Sequence, residues 1–582
     1  MVPSLRVFAL LADGERGALV GPTGEIAWLC IPYWDSEAIF SSLLGGSGVY
    51  EVTPEGRFVW GGYYESGTLI WRNRWVLGDG SILECRDALA FPGESESAVL
   101  LRRISPQKGR AKVRVRLDLW KAYGSKRLGN FKLEQGFWTA DSDGLYARLT
   151  GGADATFTDE SGLKMELELP AGQNHDLMLE LSTKRLGPAP KHDELWRSTE
   201  TSWMRSMPEE LRCSGMRDIR HSYAVLRGLS SSSGGTVAAA TTSLPERAES
   251  IRDYDYRYVW VRDQCWIGQA MAAIGPHPIL GDSVRFVKER LLADGPQLQP
   301  VYTARGTQIP PPSRIEHLPG YPGTIKVVAG NVAGSQFQLD TFGEALLLFS
   351  AAARHDLLHA DDWRAIDIAA NAIEKRWKEK DSGVWELEER HWTHSRLMCA
   401  AGLRQIAKKG APPSSAARWL ALADSITAET GVTGIHWSGR WKRADDDDRV
   451  DASLMLPTLR GAVDIDDPRS LATLESIEKD LVQDGYCHRF RSKLPLGDSE
   501  GAFSVCSFWL ALLHFQLGNK TRAAHLFERI RSSCGPPGLF TEEYDVAQRE
   551  FRGNFPQAFV HAFLLECAVR MGEEYEYVEF ES

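Results

Sequence analysis

Hydrophobic positions change their period once along this chain. Up to about residue 190 the apolar residues fall in short runs, Ala18–Val20, Ile26–Leu29, Leu69–Trp71, Ser81–Leu83 and Val99–Ile104, separated by Gly-Pro, Asp-Gly and Gly-Gly turn signals. Ala111–Leu119 alternates apolar and polar residues with period two, and Phe131–Leu133, Tyr146–Leu149 and Met165–Leu169 continue the series. Many short strands with turns between them predict an antiparallel β-sandwich over residues 1–190. Gly187-Pro-Ala-Pro-Lys191 marks a boundary, and residues 191–212 read as a helical linker, with a helix over Asp193–Met207.

From residue 213 to 582 the spacing is helical. The predicted helices are Met216–Leu226, Cys265–Ala273, Val284–Leu292, Phe337–Ala353, Trp363–Trp377, Thr393–Ala407, Ser415–Thr430, Leu471–Val482, Phe503–Leu517, Lys520–Arg531 and Phe555–Met571. About a dozen helices without a repeat of about 34 or 40 residues argue against a solenoid and for a barrel of helix pairs. The segment Gln299–Gly334, rich in Pro and Gly, is too long for a plain connection and is expected to shape a pocket mouth. Asp445–Asp448 reads as a solvated acidic turn, its spacing being wrong for a calcium loop.

Composition narrows the function more than the fold. The 582 residues are 43% hydrophobic and 25% charged, as in ordinary multidomain globular proteins. A net charge of −11 argues against nucleic acid or an anionic membrane as partner and suits a neutral ligand. The nine cysteines are odd in number, far apart and without a Cys-x-x-Cys, which reads as reduced thiols. The only apolar run near the start, Val7–Ala12, is too short for an export signal or a membrane span, so a cytoplasmic location is expected.

One stretch stands apart. Arg252-Asp-Tyr-Asp-Tyr-Arg-Tyr-Val-Trp-Val-Arg262-Asp263 packs three tyrosines, a tryptophan, three arginines and three aspartates into twelve residues. Aromatic faces for sugar C–H groups and Arg/Asp pairs for hydroxyls are what a sugar pocket needs, although a helix entrance with surface ion pairs has a similar composition. Two acidic motifs accompany it. In Gly383-Val-Trp385-Glu386 the adjoining indole could desolvate the carboxyl and keep it protonated, as a general acid requires; a capping or surface role is the alternative. Phe540-Thr-Glu542-Glu543-Tyr544-Asp545 could present a carboxylate to water, or could merely cap a helix.

Read in order, these segments resemble glycoside hydrolase family 15, the glucoamylase-like enzymes that include bacterial trehalases and isomaltose-hydrolysing enzymes. The resemblance is carried by Leu10–Val20, Trp28–Ser36, Tyr256–Asp263, Gly330–Asp340, Gly383–Glu386, Thr393–Ser395, Glu500–Phe503, Glu542–Asp545 and Gly553–Phe559. It implies an N-terminal antiparallel β-sandwich followed by an all-α (α/α)6 barrel. It also implies Glu386 as general acid and Glu542 as general base of an inverting, exo-acting α-glucosidase, the two carboxyls being about 6.5–9.5 Å apart. Arg262 and Asp263 would grip the terminal glucose beside Trp260, with Gln338 and Asp340 a second polar pair. Arg489 would lie near the same sugar, Trp385 would line it, and Tyr256 would help to hold the water. Glu543, next in sequence, is the alternative base.

The expected partner is a small α-glucoside such as trehalose, isomaltose or a malto-oligosaccharide. No cofactor or metal is implied, since His391, His394, His488 and His561 form no recognisable ligand set. A phosphorylase on a similar barrel would need an anion site where Glu542, Glu543 and Asp545 stand, and a sugar-binding relative without activity is the other alternative. Tyr33-Trp34-Asp35 is a candidate contribution of the sandwich to the pocket.

Overall fold

The computed structural model of the protein describes residues 3–209, 211, 217–247, 252–491 and 501–572. Cys213, Met216 and Glu500, which figure in the sequence reading, lie outside them. Strands run from Ala9 to Ser182, and the first long helix opens at His192.

All named strand pairs of the N-terminal part are antiparallel. An eight-stranded sheet extends from Gly129–Glu134 at one edge to Phe58–Tyr64 at the other, and a four-stranded sheet has Ala111–Asp118 and Gly162–Leu169 at its centre. In Ala111–Asp118 the side chains of Ala111, Val113 and Val115 are buried while Lys112 and Arg114 are exposed, the two-residue alternation written in the sequence. Leu117 and Leu163 of the small sheet face Ala147, Leu149 and Leu179 of the large one across a common core. The run Val7–Ala12 supplies an edge strand, Ala9–Ala12, to a further four-stranded sheet.

Thirteen α-helices follow among the described residues. After α1 (His192–Ser206) come α2 (Arg217–Leu229), α3 (Val261–Ile274), α4 (Pro278–Asp294), α5 (Asp340–Ala353), α6 (Ala360–Arg376) and α7 (Thr393–Ala407). The series continues with α8 (Pro413–Thr433), α9 (Met455–Leu459), α10 (Pro468–Leu481), α11 (Ser504–Gln516), α12 (Lys520–Arg531) and α13 (Ala558–Gly572). The helices α3, α5, α7, α9, α11 and α13 pack each on the next and close into a ring, and α2, α4, α6, α8, α10 and α12 each back one of them from outside. This is an (α/α)6 barrel. Inner helices are buried nearly all round, as α5 shows with 13 of its 14 residues in the core. Where α5 crosses α7 only glycine fits: a Cβ on Gly343 would stand 2.5 Å from the Met398 carbonyl oxygen, and one on Gly402 2.4 Å from that of Gly343.

The two parts meet on a buried seam. The Trp28 indole donates to the Ala240 carbonyl at 2.9 Å. Arg257, fully buried, grips Asp255 through two nitrogens at 2.9 and 2.7 Å and donates to the Ser36 carbonyl at 2.7 Å and the Tyr123 hydroxyl at 3.1 Å. Tyr33 lies under the Arg305 guanidinium, 4.1 Å from its ring centre, and Trp34 is buried with its indole on the Gly14 carbonyl. These residues build the seam and not the pocket, so the candidate role for Tyr33-Trp34-Asp35 is not realised.

The acidic turn is not wholly solvated. Asp447 is buried, held by two nitrogens of Arg449 at 2.9 and 2.6 Å with Arg443 at 3.7 Å, because two flanking arginines fold over it. The eight described cysteines are free, seven of them buried. No helix of the described residues is long and apolar enough to cross a membrane.

Candidate active site

The pocket opens at the N-terminal ends of the inner helices, and the aromatic stretch forms one wall. From Arg252 to Arg257, before a bend at Tyr258, the side chains of that stretch alternate between two faces. Arg252, Tyr254 and Tyr256 line the pocket, whereas Asp253, Asp255 and Arg257 point away. Asp253 accepts from the Ile325 and Lys326 amides at 2.9 and 3.1 Å, and Asp255 accepts from Gly330 at 3.1 Å. The rear face of the wall therefore pins the long 299–334 segment, whose Val332 reaches the pocket. Of the Arg/Asp residues of this stretch, Arg252, Arg262 and Asp263 line the cavity, whereas Asp255 and Arg257 belong to the seam.

Helix α3 starts at Val261, four residues before the predicted Cys265, because Val259–Trp260 pairs with Val301–Tyr302 and delivers the chain into a helical turn. Arg262 and Asp263 thus sit in a first turn, where exposed N–H groups favour a carboxylate. Asp263 is buried, which pushes its carboxyl up to about 7 against the pull of Arg262. The Arg262 Nη1 donates to Gln338 Oε1 at 2.6 Å and lies 3.8 Å from Asp340. Gln338 and Asp340 stand behind Arg262 and do not line the cavity.

Glu386 lies on a tight turn between α6 and α7 with φ of +56°, a left-handed conformation that a glutamate adopts at a cost. The turn is held from below. Buried Asp381 accepts from the Gly383 amide at 2.8 Å and the Ser395 hydroxyl at 2.9 Å, and Trp392 donates to the Asp381 carbonyl at 2.8 Å. Gly383 has φ of +67°, and a Cβ there would stand 2.8 Å from the Trp392 ring. The Glu386 carboxylate receives the indole N–H of Trp260 and the amide of Gln338 at 3.1 Å, with Arg262 at 3.8 Å; its side chain is 24% exposed. The ring expected to desolvate it is elsewhere. Trp385 lines the pocket but spends its N–H on Asp451 at 2.9 Å and packs edge-on against Phe503.

On the opposite side the Tyr256 hydroxyl reaches both Glu542 oxygens at 3.1 Å. Tyr256 and Trp260 sit edge to face, ring centres 5.3 Å apart, so this aromatic pair carries one carboxylate at each end. Glu542 lines the pocket and Glu543 does not. Glu543 accepts from Arg489 at 2.8 Å and from the Gly501 amide at 2.9 Å. Glu246, which the sequence reading did not single out, also lines the cavity, 3.3 Å from Arg489 and 3.4 Å from the Tyr256 hydroxyl. Burial, with Glu246 alongside, pushes the Glu542 carboxyl well above the usual carboxylate range, and Arg489 opposes the rise.

Of the ten residues expected in the site, Glu386, Glu542, Tyr256, Trp260, Arg262, Asp263, Trp385 and Arg489 surround one cavity of about 190 Å³. Tyr254 was findable from its two-residue spacing to Tyr256. Glu246 and Gln557 also face the cavity; nothing near Glu246 in the sequence points to it, and Gln557 lies inside the Gly553–Phe559 motif. Among the described residues one group of three potential metal ligands lies together, Asp176 of the β part with His192 and Asp193 at the start of α1, and Arg103 already binds both its aspartates at 2.7 and 2.9 Å.

Comparison with known proteins agrees with this architecture. A trehalase of Mycobacterium tuberculosis is 29% identical, the match covering 98% of this chain and 90% of that one. A trehalase 1 of Sulfolobus acidocaldarius is also 29% identical, over 96% of this chain and 98% of its own. A crystal structure of a bacterial glucoamylase complexed with acarbose superposes with a TM-score of 0.69 at 12% identity, covering 98% of this chain and 94% of that one, and shares its fold. The trehalase-like N-terminal model matches residues 2–136. The model of glycosyl hydrolases family 15 matches residues 222–569, the barrel with its two carboxylates, and the chain belongs to that family of glycoside hydrolases.

Proposed function

We propose that the protein is an exo-acting, inverting α-glucoside hydrolase that releases β-glucose from the non-reducing end of a small α-glucoside, trehalose first. The observation that carries this reading is the placement of Glu386 and Glu542 on one small cavity, each held by a different ring of the Trp260–Tyr256 pair. Glu386, reached by the open side of the cavity, protonates the leaving oxygen. Glu542 takes a proton from water as that water attacks the anomeric carbon from the other face. Arg262 and Asp263 bind hydroxyls of the terminal glucose by charge-assisted hydrogen bonds. Water suits the base side better than phosphate, because Glu246, Glu542 and Glu543 crowd there around Arg489. The curated relatives are named trehalases, which favours that disaccharide over isomaltose.

Glucose release from trehalose, maltose, isomaltose, panose and soluble starch, with the first-formed anomer read by NMR, tests the proposal. Trehalose is expected to be the best substrate, giving one β-glucose and one α-glucose per turnover. Two α-glucoses would exclude inversion, and no release from any substrate would exclude hydrolysis.

The pH profile tests the base. Glu542 must be ionised to act, so the acid limb of kcat/KM follows its raised pKa and lies above the ordinary carboxylate range. Glu246→Gln removes a neighbouring negative charge, stabilises ionised Glu542, and is expected to move that limb to lower pH. A limb that stays in place, or moves up, would uncouple Glu246 from the base.

A further inference from the structure

Four glutamines are buried among the described residues: Gln264, Gln269, Gln338 and Gln557. Three have their amides engaged by the protein. Gln264 accepts from the Thr236 amide at 2.7 Å and donates to Ser283 at 2.7 Å, and Gln269 donates to Glu344 at 2.8 Å. Gln338 accepts from Arg262 at 2.6 Å and donates to Gln336 at 3.0 Å and Glu386 at 3.1 Å. Gln557 is the exception. It is 0% exposed, neither its amide oxygen nor its amide nitrogen has a hydrogen-bond partner among the described residues, and it lines the same cavity as Glu386 and Glu542.

An amide buried without partners is destabilising, and nearly all such groups in native proteins are satisfied. The strain is held by a rigid frame. The backbone N–H of Gln557 donates to the Phe540 carbonyl at 2.9 Å, that of Ala558 donates to the Ala238 carbonyl at 2.8 Å, and the Thr241 hydroxyl accepts from the Phe555 N–H at 2.9 Å. The side chain therefore stands at the entrance of α13 with its backbone fixed on both sides. Two other linings of the cavity, Trp266 and Phe559, offer only carbon, since Trp266 spends its N–H on Glu344 at 2.8 Å. The cavity that Gln557 lines is where partners for its side-chain amide can be supplied.

We propose that Gln557 is a substrate-binding residue that reads two neighbouring hydroxyls of the bound glycosyl unit, donating to one through its amide nitrogen and accepting from the other through its oxygen. A vicinal diol offers that donor and acceptor side by side, and a carboxamide answers both at once. Gln557 thereby selects for sugars with both hydroxyls present and in one relative configuration. The assignment rests on the glucoside reading of the site for the class of ligand, and not on which linkage is cleaved.

The test compares wild type with Gln557→Leu and Gln557→Glu, the latter nearly isosteric. Binding of glucose and of each monodeoxyglucose is measured by calorimetry, kcat/KM on the hydrolysed disaccharide is followed, and thermal midpoints are recorded. Wild type is expected to bind two adjacent deoxyglucoses more weakly than glucose. Gln557→Leu is expected to weaken glucose binding and kcat/KM by about 10–100-fold, to lose the discrimination between glucose and those two analogues, and to keep or raise the thermal midpoint. Gln557→Glu, if the leucine variant does not fold, offers acceptors only and is expected to change the ranking of the two deoxyglucoses relative to wild type. Discrimination unchanged in the folded variants, or a wild type that binds no glucose, overturns the assignment. Absence of hydrolysis by wild type, with glucose still bound, would remove the hydrolase reading and leave this one to be decided by the calorimetry.

Discussion

Glu542→Gln is expected to lower kcat on the preferred disaccharide by about 10²–10⁴-fold, the range that a positioned acid or base contributes. Glutamine keeps the shape and still accepts from the Tyr256 hydroxyl that sits 3.1 Å from the carboxylate, so the thermal midpoint should not fall. Glu386→Gln is expected to lose as much on a disaccharide, but to recover on α-glucosyl fluoride, whose leaving group needs no proton. Glu542→Gln should not recover there, because water still lacks its base. Glu543→Gln gives the contrast: it loosens Arg489 and the Gly501 amide, so its effect should fall on stability and KM. Activity that survives in Glu542→Gln and vanishes in Glu543→Gln would move the base by one residue. Equal behaviour of the Glu386 and Glu542 variants on the fluoride would undo the division of roles.

Arg257→Met is expected to destabilise the protein by about 3–5 kcal/mol, the cost of removing one member of a buried ion pair. Asp255 would be left charged and fully buried, and the Ser36 carbonyl and Tyr123 hydroxyl would lose a donor. Because Asp255 also holds the Gly330 amide, the pocket wall should loosen with the seam, and proteolysis near residue 190 should accelerate. Denaturant unfolding and limited trypsin digestion read both effects. The double change Asp255→Leu/Arg257→Met should recover part of the loss, since a buried ion pair replaced as a whole costs less than one broken. A single variant as stable as wild type would mean that the seam is held elsewhere.

Periodicity carried most of the architecture. Ala111–Asp118 has the pattern of a strand with one buried face, and α7 and α12 begin and end where the helical spacing does. Helix α9 escaped because it has five residues, one of them Pro457; its place is set by packing against α7 and α11 and not by local preference. The start of α3 was misplaced because a strand pair with Val301–Tyr302, distant in sequence, decides it. The same limit applies to the site. Trp385 and Glu386 are neighbours in the chain, yet Asp451 turns the indole away and Trp260, 126 residues earlier, supplies the ring that meets the carboxylate. Glu246 comes to Arg489 across 243 residues, which no local pattern encodes.

The alternation of Arg252–Arg257 has a consequence for how such a chain can change over evolutionary time. One face of this short segment is a wall of the cavity, and the other is the joint with the β part and the anchor of the 299–334 segment. Substitutions can alter either face separately. An inserted or deleted codon cannot, because a shift of one residue exchanges the faces, sending the aspartates into the cavity and the tyrosines into the joint. Length variation in relatives of this chain should therefore collect elsewhere, and this segment should drift only by replacement.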